Sequence, residues 1–131
     1  MSNRNFSPYQ LIHLMKLRSN GLKSLLITDG VGVGKTISAG YILFHGSHIA
    51  REPSVVICPP ILVEKWRMEL KNRFDLDSRL ANSKEGFDLM CDEISSGVDW
   101  DIAPIYICSF SLLSREKGLD IPQVGVILFD E

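Results

Sequence analysis

Residues Gly30-Val31-Gly32-Val33-Gly34-Lys35-Thr36 place three glycines, a lysine and a hydroxyl within one short stretch. Polyphosphate is dense in negative charge, and a glycine-rich loop lets several backbone N–H groups converge on one cluster of oxygens. A helix opening at that point adds the positive end of its dipole. Lys35 can reach terminal phosphates, and the Thr36 hydroxyl can ligate magnesium. The stretch therefore reads as a cradle for the phosphate tail of ATP with its magnesium ion. The strict pattern G-x-x-x-x-G-K-[ST] is not met, because its first glycine would fall where Asp29 stands. A dinucleotide fingerprint fails as well, since Lys35 occupies the place of its last glycine.

A second chemical feature lies at the other end of the chain. Val124-Gly125-Val126-Ile127-Leu128-Phe129-Asp130-Glu131 is an apolar run followed at once by two acids. An Asp at the end of a buried strand beside a phosphate loop can hold magnesium, and a neighbouring carboxylate can orient the attacking water. Asp130 is the candidate for the first role and Glu131 for the second. Such a run is an odd place for a domain to stop, so the chain reads as cut after the Asp-Glu strand.

These residues need a scaffold. Ser24–Thr28, Ser54–Cys58, Ile105–Cys108 and Val124–Phe129 are short apolar runs, read as four buried strands. Ser7, Pro8 and Gln10 open a first helix with a capping-box pattern, and Gly21 ends it. A second helix is expected from near Lys35 through Tyr41 and Phe44 towards Ile49. A third carries Leu62, Trp66 and Leu70 on one face and Lys65, Arg67, Lys71 and Arg73 on the other. Residues 87–94 suggest a further helix, and Leu112 and Leu113 a short one. Apolar strands alternating with helices predict an α/β fold: a parallel sheet with helices on both faces.

Composition sets outer limits. The chain has 131 residues, 45% hydrophobic and 23% charged, as expected of one domain with a real core. A net charge of −2 offers no bulk attraction to nucleic acid, so any such contact must be local. The three cysteines show no CxxC spacing, which disfavours a disulfide framework or zinc site and suits a reducing cytosol. There is no secretory signal at the N-terminus and no stretch long enough to span a bilayer. A cytoplasmic setting is the expectation.

The ordered motifs resemble the first ATPase lobe of the Swi/Snf-type translocases of helicase superfamily two. Phe6-Ser7-Pro8-Tyr9-Gln10 is similar to the family's upstream element. Asp29-Gly30-Val31-Gly32-Val33-Gly34-Lys35-Thr36 is similar to its D-E-x-G-x-G-K-T loop, with Gly30 where the family has Glu. Val55–Leu62, with Trp66 behind, resembles the next motif, and Ile107–Leu113 resembles the usual I-T-S-Y-x-x-L. Ile127-Leu128-Phe129-Asp130-Glu131 resembles the opening of the D-E-x-H box.

The resemblance implies a RecA-like lobe over residues 24–131, preceded by an adenine-contacting helix over residues 1–23. It also implies ATP and magnesium as cofactors, with Gln10 on the adenine edge. Contacts to nucleic acid, double-stranded DNA in this family, fall at Pro60 and Ser109. A second lobe supplies an arginine to the nucleotide, and without it DNA-stimulated hydrolysis should be negligible. The run Gly34–Gly40 is similar to bacterial members acting near RNA polymerase or in phage defence, which implies a bacterial cytosol.

Other readings stay open. A P-loop switch or assembly ATPase that touches no nucleic acid shares the loop, and a non-catalytic remnant that only binds partners shares the departure at Gly30. Trp66, spaced with Leu62 and Leu70, reads as core, and the basic residues of its helix as a solvated face. His45 and His48 lack a third ligand at metal spacing. His13 falls within the first helix, and the cysteines read as small buried apolar residues.

Overall fold

The computed structural model describes residues 24–28, 33–109, 111–112 and 124–130, with residues 24–28 and 33–36 at the level of the backbone. The elements run β1 (Ser24–Thr28), α1 (Val33–His45), β2 (Ser54–Cys58), α2 (Val63–Phe74), β3 (Arg79–Leu80), α3 (Lys84–Ser95), β4 (Ile105–Ser109) and β5 (Val126–Asp130). The helix expected over residues 7–17 lies outside the described residues.

All described strand pairs are parallel, in the order β1-β5-β2-β4-β3. The expected four strands are thus a five-stranded sheet. The addition is β3, two exposed residues pairing with Tyr106 and Ile107 of β4. A two-residue edge strand carries no alternation to betray it, and its shortness suits an edge because it offers little template for further pairing. Arg79 ties β3 to α3 through Glu93 at 2.9 Å, and Tyr106 donates to the same Glu93 oxygen at 2.6 Å. The Tyr106 bond, reinforced by Arg79, holds the Glu93 carboxyl below its usual range.

Strand alternation divides the core between two faces. Val55, Ile57, Tyr106, Cys108, Ile127 and Phe129 pack with Phe87 and Met90 of α3. Val56, Cys58, Ile105, Ile107, Val126 and Leu128 pack with Leu43 of α1 and with Val63, Trp66 and Leu70 of α2. Handedness explains this division. The steps β1→β2 and β2→β3 travel one way along the sheet, whereas β3→β4 travels back. Right-handed crossovers therefore put α1 and α2 on one face and α3 on the other.

Local chemistry sets the helix ends. The α1 helix gives way to a wide turn over Gly46–Ala50 that closes on Arg51 in the left-handed region, at φ 56°. The helix expected to reach Ile49 is therefore regular only to His45. Helix α2 ends on Asp75, at φ 53°, with the Leu76 N–H returning to the Leu70 carbonyl at 3.1 Å. Buried Leu76 seals that cap. At the head of α3, Ser83 accepts from the Gly86 N–H at 3.0 Å.

Helices α1 and α2 meet where Gly40 faces the Phe74 ring. A Cβ at residue 40 would lie 2.0 Å from the ring edge, and Tyr41 meets the same ring edge-on at 5.2 Å between centroids. Gly40→Ala should cost about 1 kcal/mol despite alanine's better helix propensity, because the ring must leave its seat. In a Phe74→Leu background the same change should be neutral or stabilising. Urea unfolding of the four chains of this cycle reads the coupling directly.

Candidate functional site

Parallel strands end on one edge of the sheet, and Asp130, Cys58 and Ser109 lie there. Thr28, the last residue of β1, pairs in register with Asp130, the last of β5. Neighbouring strands lie about 4.8 Å apart, so the segment leaving β1 begins one strand's width from Asp130. That segment, residues 29–32, leads into α1, whose first turn is Val33-Gly34-Lys35-Thr36. The first N–H groups of an α-helix have no acceptor within the helix and remain available to an anion. A strand and a helix thus flank the glycine-rich segment in the order expected for a phosphate cradle. Gln10, Asp29, Gly30, Val31, Gly32 and Glu131 lie outside the described residues, as do the side chains of Val33, Lys35 and Thr36.

Asp130 is 3% exposed. Strand parity turns it to the α1–α2 face, in step with Val126 and Leu128. There the Trp66 indole N–H of α2 donates to Asp130 Oδ2 at 2.5 Å. A buried carboxylate is costly unless it is hydrogen-bonded, and bonds to charged groups are worth about 1.5–3 kcal/mol. Reading Trp66 as core was right in its burial, 4% exposed, and missed its polar end. The available signal was general: a buried indole must place its N–H somewhere.

Two further strand ends complete the edge. Cys58 of β2 pairs with Ser109 of β4. Beyond Cys58, Pro60 opens a single tight turn, Pro60–Leu62, and is itself exposed. Ser109 is buried, and its Oγ accepts from the Leu112 N–H at 3.3 Å, capping the turn that follows. On the outer face of α2, Arg67 pairs with Glu64 at 2.9 Å, Lys71 with Asp75 and Asp77 at 3.1 Å each, and Arg73 with Glu69 at 2.7 Å. Acids of the same region thus offset these three cations. His48 stacks on Phe44 with ring centroids 4.4 Å apart.

Magnesium prefers hard oxygen donors and, beside a nucleotide, takes one or two carboxylates with phosphate supplying the rest. Asp130 is such a donor, at the strand end next to the loop, so the residues present fit that ion. Among the described residues no group of three or more His, Cys, Asp or Glu could hold a metal by itself. No described helix is long and apolar enough to cross a membrane.

Together these features define an α/β lobe of the RecA-like kind, with a buried acid at the end of a central strand. Among curated proteins the chain is similar to the RNA polymerase-associated protein RapA of Yersinia pestis (strain Pestoides F). The two are 29% identical over 111 residues, covering 84% of this chain and 11% of the relative. The protein of the same name from Yersinia pseudotuberculosis serotype O:1b (strain IP 31758) matches with the same identity and coverage. The chain thus spans only about a tenth of the length of these relatives. No protein-family model matches it, and no solved structure does.

Cys58 lies at the same edge. Burial, helped by the Asp130 charge, pushes its thiol from 9.0 up to about 12, and burial raises the Cys108 thiol too. The stability linked to Cys58 is fully present below pH 9.0 and is lost as pH rises towards 12, because the unfolded chain releases its proton first. Iodoacetamide at pH 9.0 should therefore label half-buried Cys91 first and spare Cys58 and Cys108. Peptide mass spectrometry with and without denaturant reads the difference, which should vanish once the chain is unfolded.

Proposed function

We propose that this chain is the ATP-binding part of a Swi/Snf-like, nucleic-acid-dependent ATPase. The observation that carries the reading is the register of Thr28 with Asp130, which sets the exit of β1 beside a buried carboxylate. The similarity to RapA over most of the chain supports the same reading.

In this reading the backbone N–H groups of residues 30–36 receive the phosphate tail, and Lys35 neutralises its terminal charge. Thr36 and Asp130 would hold magnesium, which supplies charge neutralisation between the outer phosphates. Glu131 orients the attacking water, and Gln10 reads adenine through its paired amide donor and acceptor. Pro60 and Ser109 stand at neighbouring strand ends of the same edge, where a nucleic-acid track, double-stranded DNA by resemblance, would pass. Hydrolysis coupled to movement requires a second lobe to close over the nucleotide and contribute an arginine. RNA polymerase as a neighbour accords with the name of the relatives, and a bacterial cytosol is the setting that this reading carries with it.

Binding of a fluorescent ATP analogue tests the core of this reading. The chain should bind it weakly and more tightly with magnesium. Lys35→Ala should lower affinity about tenfold or more, equivalent to ~1.4 kcal/mol. Gln10→Ala should remove the preference for ATP over GTP while sparing phosphate binding. Equal affinity of the wild-type and Lys35→Ala chains would sink the phosphate cradle.

A further inference from the structure

The geometry points to Trp66 as the positioning residue for the cation-binding carboxylate, making α2 a structural partner of the nucleotide site. This rests on the proposed role of Asp130 and goes one step beyond it. Three observations carry it. The Trp66 Nε1–H donates to Asp130 Oδ2 at 2.5 Å, across 64 residues of sequence. Both groups are buried, Trp66 at 4% and Asp130 at 3% exposure, so water does not compete freely for the bond. Trp66 also belongs to the same buried apolar cluster as Val63 and Leu70 of its own helix and Val56 and Leu128 of the sheet, and close-packed interiors limit side-chain motion.

The choice of donor matters. Indole N–H only donates, and it carries no charge. A lysine or arginine at this place would hold the carboxylate as firmly but would oppose an incoming cation. Trp66 fixes the orientation of the carboxyl plane and leaves its negative charge uncompensated by that contact. Trp66 also lies in the first turns of α2, which follows directly on the exposed turn Pro60–Leu62. Any shift of that turn which moves α2 therefore moves the donor of Asp130.

The test uses the whole chain, a fluorescent ATP analogue and magnesium titration, with two replacements of Trp66. Trp66→Phe keeps an aromatic ring without the N–H. Incorporation of benzothienylalanine at residue 66 changes the N–H to sulfur and preserves ring shape, which covers the case in which the phenylalanine variant folds poorly. Both should lower the apparent magnesium affinity of the nucleotide complex about tenfold, the size of one lost hydrogen bond to a charged group. Both should leave magnesium-free nucleotide binding unchanged.

The indole ¹⁵N–¹H signals give an independent readout, because the chain has two tryptophans. Trp100 lies with Arg79, at the opposite edge strand, and serves as the control. Asp130→Asn, and magnesium with nucleotide, should each move the Trp66 signal and leave that of Trp100 in place. Nucleotide binding that responds normally to magnesium in both Trp66 replacements would overturn the positioning role and leave the phosphate cradle standing. A wild-type chain that binds no nucleotide under any condition would overturn the parent reading and this one together.

Discussion

In a parallel sheet every strand must return to the same end before the next can begin, and right-handed crossovers decide which face each return covers. That constraint governs where the remaining features of this chain fall. It puts α1 and α2 on one face and α3 on the other. It also brings the ends of β1, β5, β2 and β4 to one edge, so residues far apart in sequence meet there without any local attraction between them. The crevice outside the carboxyl ends of such strands is where open α/β sheets bind ligands. Its position here follows from topology before any side chain is considered.

Within that edge, one polar contact differs in kind from the rest. The ion pairs on α2 are solvent-exposed, and pairs of that sort contribute little to stability. The bond from Trp66 to Asp130 is buried, charge-assisted and links the second helix to the last described strand. Asp130 sits among apolar groups of the same face, and its charge adds to the burial that raises the thiol of its neighbour Cys58.

The distribution of positive charge is equally informative. Arg67, Lys71 and Arg73 are offset by acids of the same helix or the turn beyond it. The solvated outer face of α2 is therefore electrostatically mixed. Any contact with nucleic acid at the strand ends near Pro60 and Ser109 would not draw on these paired cations. The low net charge of the chain agrees with a local contact of that sort.

Much of the fold was legible in the sequence because its signals are local. Apolar runs such as Ser54–Cys58, short and closed by Pro59-Pro60, read as buried strands, glycine followed by Lys35-Thr36 announced a helix start, and the spacing of Trp66 with Leu70 disclosed the buried face of α2. Edge strand β3 was not legible, since two exposed residues carry no period and are made a strand only by β4 beside them. The termination of α1 at His45 was missed, although Gly46, a poor helix former, opens the wide turn that follows. What only the tertiary structure decided was partnership: which strand end lies beside which, that Gly40 makes room for Phe74, and that the nitrogen of a core tryptophan faces Asp130. Periodicity along a chain encodes which side of an element is buried, but not what stands opposite it. That is set by the packing of elements whose separation in sequence no local pattern records.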